Sequence, residues 1–173
     1  MKLHVACGAR LLEGWVNRDK DRPPAGTKHF NAALPWEYAP GSIDVVYSED
    51  FIEHLPQKDQ FKFFFEAYKA LKPGGIFRVN FPDIEWSLKN WIIGPDKLNL
   101  NREYYHAPGG HVFVPTEEYV IKVLELFKFK DVQSYYRNDS SIEQFEGDSR
   151  PVHFANPLDN RPDEAQIYIE CYK

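Results

Sequence analysis

The sequence predicts an α/β fold built on an open, mostly parallel sheet, and three observations predict it. Residues 43–48, IDVVYS, form a short apolar run bounded by turn formers, as expected of a parallel strand buried on both faces. From Gln57 to Leu71, the residues Phe61, Phe64, Phe65, Tyr68 and Leu71 recur at helical spacing, with Lys62, Glu66 and Lys69 on the other face. Residues 76–81 then read as a second buried strand. A strand–helix–strand unit of this length makes the two strands parallel neighbours joined by a right-handed crossover.

The totals bound the rest. A chain of 173 residues suffices for one domain with a proper core, and a single domain over 1–173 is expected. With 43% apolar and 16% aromatic residues, the composition excludes intrinsic disorder. The formal net charge of -5 argues against a nucleic-acid partner. No window is apolar and long enough to span a bilayer, and the N-terminus lacks the pattern of a signal peptide, so a cytoplasmic protein without membrane attachment is expected. Cys7 and Cys171 are far apart and have no partners at metal-ligand spacing, which argues against a disulfide framework or zinc site; no metal is expected. Nothing in the sequence addresses the oligomeric state.

Taken in order, Lys2–Asp19 (KLHVACGARLLEGWVNRD) reads as strand, tight turn, strand. Leu3 and Val5 alternate ahead of Gly8, and the apolar pair Trp15-Val16 leads to Asp19. In open α/β sheets ligands sit over the C-terminal strand ends. Gly8 lets backbone approach a ligand there, and the Asp19 carboxylate can accept hydrogen bonds from ribose hydroxyls. The interval from Gly8 to Asp19 is too short for a full crossover helix, leaving at most one turn at Leu11-Leu12-Glu13. Turn formers follow, then a short edge strand over 28–31 and a loop through Gly41. After IDVVYS stand four ionisable groups, Glu49, Asp50, Glu53 and His54, and Pro56 suits the first turn of a helix. Lys72-Pro73-Gly74-Gly75 ends that helix. Residues 84–115 place Trp86, Trp91, Tyr104, Tyr105, His106 and His111 among Gly, Pro and Asn, and read as a long irregular insertion on the substrate side. Thr116 caps a helix running to 128, with Glu117 and Glu118 in its first turn. A strand over 132–136, a polar loop over 138–162 and a final strand over 166–172 complete the chain.

Five strings, Ala6-Cys7-Gly8, Gly14-Trp15-Val16-Asn17, Asp44-Val45-Val46-Tyr47-Ser48, Ile52-Glu53-His54-Leu55 and Leu71-Lys72-Pro73-Gly74-Gly75, occur in this order at their expected structural positions. Together they resemble the class I S-adenosylmethionine-dependent methyltransferases, most closely the small type 11-like domains. The resemblance covers residues 2–83 in detail and the remainder by architecture. It implies a three-layer, Rossmann-like sheet, mostly parallel with an antiparallel last strand, seven-stranded in the family, with the first crossover helix shortened or missing here. It implies S-adenosylmethionine as cofactor and S-adenosylhomocysteine as product. Carried over by position, it puts the methionine part against Ala6, Cys7 and Gly8, the ribose on Asp19, the adenine beside Asn31, and Ser48, Glu49 and Asp50 at the methionine end and the substrate. Four positions depart from the pattern: alanine stands at Ala6 and Ala9 where glycine is common, Asp50 where relatives often have His, and Asn31 where they often have an acid.

The resemblance implies methyl transfer to a hydroxyl or amine of a small molecule or glycan, with Asp50, His54, His106 or His111 as the group that receives the acceptor's proton. Asp50, directly after its strand, is expected nearest the methyl group. Glu53 reads as a helix-start or packing residue, and Cys7 as a small buried residue without a base to activate it. Arg161 either organises a loop or grips an anionic group. Two further readings stand beside the enzyme: a non-catalytic S-adenosylmethionine-binding or degenerate domain acting as a regulatory partner, and a nucleotide-dependent oxidoreductase. The absence of a GxGxxG string after the first strand counts against the last.

Overall fold

The computed structural model describes residues 1–21, 29–91, 110–135, 140–143 and 166–173. Among these, six strands form one sheet: β1 (Lys2–Val5), β2 (Val16–Arg18), β3 (Ile43–Glu49), β4 (Leu71–Pro82), β5 (Lys130–Tyr135) and β6 (Gln166–Tyr172), in the order β2-β1-β3-β4-β6-β5. The first four are parallel, and β6 runs antiparallel between β4 and β5. The helices are α1 (Gln57–Ala70), α2 (Ile84–Trp91) and α3 (Glu117–Leu126), with a 3-10 turn at Ile52–His54. This is the mostly parallel sheet with an antiparallel end that the resemblance implies.

Strand alternation divides the sheet into two unlike faces. Leu3, Val5, Val46, Phe77, Val79, Phe81, Ile167, Ile169 and Cys171 join one apolar core with Phe63, Phe64 and Ala67 of α1 and Val120, Val123 and Leu124 of α3. Ring contacts of Phe61 with Tyr119 and Phe127 link the two helices directly. The opposite face carries Val45, Tyr47 and Ile76 beneath Leu12, Trp15 and Ile142. It also holds buried His4, stacked on Tyr47, and buried Arg78, which donates to Glu170 at 3.1 Å. Glu170 accepts further bonds from Ser140 Oγ at 2.7 Å and Ser141 N at 3.0 Å, so the buried charges are neutralised and hydrogen-bonded together.

The connection from β1 to β2 contains no helix. Asn17 replaces it as an organiser: its Oδ1 accepts from Leu12 N at 2.9 Å, and its Nδ2 donates to Leu12 O at 3.0 Å and Trp15 O at 3.2 Å. Leu12 and Trp15, held this way, cover the strip of sheet around Tyr47.

Three element expectations are corrected. The described part of the expected edge strand, residues 29–31, is irregular. Phe30 turns into the core and Asn31 forms an Asx turn through Ala33 N at 3.1 Å, so the chain cannot continue extended. The strand expected at 76–81 begins at Leu71, directly after α1; Leu71 pairs with Ile43 and the register shifts before Val45 pairs with Ile76. Gly75 is required in that irregularity, because a Cβ there would lie 2.9 Å from Lys72 O. The connection expected to be irregular from 84 opens with α2, whose start is capped by Asp83: its Oδ1 accepts from Glu85 N at 2.8 Å and Trp86 N at 3.0 Å. The cap expected at Thr116 is present and accepts from Tyr119 N at 3.2 Å.

Candidate functional site

A cleft of about 630 Å³ opens over the C-terminal ends of β1, β2 and β3. It lies at the switch point of the sheet, where β2 departs to one side of β1 and β3 to the other. Its volume falls in the usual range for small-molecule sites. Ala6 and Asp50 each follow a strand directly, line the cleft and have positive φ, +54° and +45°. Such a conformation is tolerable for Asp but costs an Ala about 1–2 kcal/mol, and strain of this kind concentrates where a chain is shaped for a ligand.

Asp19 is nearly buried at the lip of the cleft, and its carboxylate ties the lip together. Oδ2 accepts from Gly8 N at 2.8 Å and Oδ1 from Asp21 N at 2.8 Å. Gly8 has φ +51°, which glycine adopts without strain, and this aims its N–H at Asp19. A carboxylate offers about four acceptor sites, so Asp19 can hold the turn and accept hydroxyl hydrogens together. Asn31 lies on the same wall with its Oδ1 engaged by Ala33 N, which leaves its amide nitrogen as the donating end. Phe30, Ala32 and Phe51 add apolar surface, while Asp19, Asp21, Asp50 and Asp59 outnumber Lys20. This combination suits an adenosine carrying a cationic sulfonium: a hydroxyl acceptor, an amide, an apolar wall and an acidic lining.

The other expected cofactor residues support this cleft from behind. Cys7 is buried, donates its N–H to Arg18 O at 3.0 Å and directs its thiol at Gly8 O at 3.6 Å. Burial, reinforced by the negative charge of Asp19, pushes the Cys7 thiol up to about 11. Ser48 is fully buried within β3 between β1 and β4. Glu49 forms an ion pair with Arg10, which fastens the β1–β2 connection to the end of β3. Arg10 has no distinguishing pattern in the sequence and was not among the expected residues.

On the far side of the cleft, Glu53, His54 and His111 come together although 56 residues separate the histidines. His54 lines the cleft with Gly110 and Val112. The segment carrying His111 is clasped to the 3-10 turn: Val112 N and Phe113 N donate to Glu53 O at 2.8 and 3.1 Å. Buried Gln60 of α1 locks both, its Nε2 donating to Ile52 O at 2.7 Å and Phe113 O at 3.0 Å. Gln60 escapes sequence inspection because a polar residue on a helix reads as solvent-facing. His106 and Arg161 lie outside the described residues.

Comparison with known proteins places this geometry in context. Residues 13–79 match the family described as "Methyltransferase domain". Phosphoethanolamine N-methyltransferase of Plasmodium falciparum is 25% identical over 151 residues, which are 84% of this chain and 53% of that protein. A SAM-dependent methyltransferase structure from Archaeoglobus fulgidus superposes with a TM-score of 0.62 at 17% identity, covering 99% of this chain and 85% of that one. Phosphoethanolamine N-methyltransferase 2 of Haemonchus contortus, solved with S-adenosyl-L-methionine, gives a TM-score of 0.57 at 16% identity, covering all of this chain and 49% of that one. The chain thus spans about half the length of these phosphoethanolamine methyltransferases. The resemblance read from the five strings agrees with these findings: the chain has the fold of S-adenosylmethionine-dependent methyltransferases, and residues 13–79 match the methyltransferase-domain pattern.

Proposed function

We propose that this domain, of class I methyltransferase family and fold, binds S-adenosylmethionine in the cleft over β1, β2 and β3 and directs its methyl group to a hydroxyl or amine of a small molecule or glycan. The observation that carries the reading is the Gly8–Asp19–Asp21 lip, where one carboxylate holds two backbone N–H groups beside an acidic cleft. The cofactor, when bound, would supply a methyl group activated on a positive sulfur. The chain's own contribution is alignment, which can supply about 7–11 kcal/mol of a barrier by itself. Asp19 and Asn31 orient the adenosine, and the turn at Ala6 shapes the wall beside the methionine end. Asp50 faces the cleft from the end of β3, where it favours the sulfonium and can take a proton from the acceptor. The acidic lining and the phosphoethanolamine relatives both favour an amine among the acceptors.

Calorimetry with S-adenosylmethionine and with NAD tests the binding step. Saturable binding of S-adenosylmethionine is expected, weakened about tenfold or more in Asp19→Asn, since hydrogen bonds to a charged group are worth about 1.5–3 kcal/mol. Binding of NAD alone would overturn the reading. Labelled-methyl transfer, first to phosphoethanolamine and then into a host extract, tests the chemistry. Asp50→Asn is expected to lower turnover more than cofactor affinity. Binding without transfer to any acceptor would favour the non-catalytic alternative.

A further inference from the structure

Glu53, His54 and His111 have a feature that methyl transfer does not call for. Each offers one ligand atom, and the three atoms lie within 4.8 Å of one another. His54 Nε2 stands 4.0 Å and His111 Nε2 3.9 Å from the same atom, Glu53 Oε1. These separations exceed hydrogen-bond length. They come close to the edge of a metal's coordination shell, roughly 3–3.5 Å for bonds of about 2.0–2.2 Å.

We propose that Glu53, His54 and His111 form a site for a first-row divalent cation such as zinc, at the acceptor end of the cleft. Four observations converge on it. The His54 Nδ1 lies 3.3 Å from Gly110 O. A carbonyl only accepts, so Nδ1 is the donor in this contact, and Nε2 is turned to the Glu53 side. Donation of the other ring N–H to a backbone carbonyl is the usual way a metal-binding histidine is oriented. Second, Glu53 is fully buried, where an anion is favoured by a cation held directly against it. Third, the frame is built in advance: Gln60 and the Glu53 carbonyl hold the 52–55 turn and the 110–113 segment together through the backbone of Ile52, Glu53, Val112 and Phe113 and one buried side chain. Fourth, the side chains of Glu53, His111 and His54 are 0%, 12% and 35% exposed, a gradient that opens toward the cleft. Two imidazoles and one carboxylate suit zinc, iron, cobalt or manganese, and leave coordination positions for other ligands. An oxygen of the acceptor, hydroxyl or phosphate, is the chemistry that fits them. That last role rests on the function proposed above; the metal site itself does not.

The test uses the full chain after dialysis against a chelator. Titration with zinc, followed calorimetrically, is expected to give one equivalent bound, and cobalt to give a visible absorption band from its bound d electrons. His111→Ala and His54→Ala are expected to weaken zinc about 10–100-fold or more and abolish the cobalt band, while His29→Ala, on an exposed residue that is not one of the three ligands, retains both. Glu53→Gln is the sharper variant, and because Glu53 is buried it is read only if its circular dichroism matches the parent. The two histidine variants alter more exposed groups and stand independently of it. Absence of stoichiometric binding of either ion, or binding that survives His111→Ala, overturns the site. Zinc binding without S-adenosylmethionine binding would leave the site standing and remove the methyl-transfer reading; the reverse result would do the opposite.

Discussion

Cys7 shows how a residue can be buried beside the proposed cofactor cleft without lining it. Burial is the first cause that holds its thiol at about 11, and the Asp19 charge is the second. The thiol is therefore neutral at physiological pH and a poor nucleophile. The folded pKa lies above the unfolded one. The associated stability is thus fully present below about pH 8.5, the ordinary thiol value, and is lost as pH rises towards 11. Urea unfolding between pH 8 and 11 is expected to show a falling stability that Cys7→Ala flattens. Asp19→Asn is expected to speed alkylation of Cys7 at pH 9–10, since the charge that suppresses the thiolate is gone. An unchanged alkylation rate would assign the whole shift to burial. The resemblance sets both Cys7 and Gly8 against the methionine part, while Cys7 by itself reads as a small buried residue. The fold supplies the geometry: the backbone N–H of Gly8 meets Asp19, while the Cys7 side chain is buried.

At the scale of elements, the pairing of β4 with β6 combines an apolar face with a buried ionic one. Phe77, Val79 and Phe81 meet Ile167, Ile169 and Cys171 on the helix side, while Arg78 and Glu170 meet on the other. Arg78 also stacks over the Tyr168 ring, 5.4 Å from its centroid. Removing one partner of a buried pair strands the other charge, so Arg78→Ala is expected to cost about 3–5 kcal/mol by denaturant unfolding. Replacing both by apolar residues of similar size is expected to cost much less. A loss below about 1 kcal/mol for Arg78→Ala would mean that the pair behaves like an exposed one. The strand periods were legible because apolar residues alternate in 166–172 and run together in 43–48. The start of β4 was not, because Lys72-Pro73-Gly74-Gly75 has the local chemistry of a stop. It is the partner Ile43, reached through β3, that draws Leu71 into the sheet.

Across the whole molecule the sheet grades from a buried centre to open edges. β3, β6 and β4 from Gly75 onward are buried almost throughout, whereas β2 has three half-buried residues and β5 is largely exposed. Amide exchange is expected to be slowest in β3, β4 and β6 and fast in β2 and the β1–β2 connection, which contains no helix. Saturating S-adenosylmethionine is expected to slow the amides of Gly8 and Asp21 most. Ligand at a hundred times its dissociation constant stabilises the closed state by about 2.7 kcal/mol. Uniform slowing of all amides, with no excess at this lip, would move the cofactor elsewhere. Among the described residues no helix is long and apolar enough to cross a membrane.

Along α1 the apolar stripe was legible only in part: Phe64 is buried as expected, but Phe65 is exposed, Phe63 and Ala67 face the core instead, and Glu66, expected on the outer face, is buried and accepts from Trp36 N at 3.0 Å. The sequence by itself determined the class of fold, the presence of helix α1, the cap of α3, the last strand and the missing first crossover helix. Each of these rests on chemistry between near neighbours: side-chain periodicity, a capping hydroxyl, a count of residues too small for a helix. Tertiary structure alone decided what depends on distant partners. It set Arg10 on Glu49, turned Gln60 inward as a clasp, and brought His111 to Glu53 and His54. Glu53 read locally as a helix-start residue because its neighbours in sequence are those of a helix entrance. Its neighbours in space are two imidazoles, and a buried carboxylate takes its chemistry from what surrounds it.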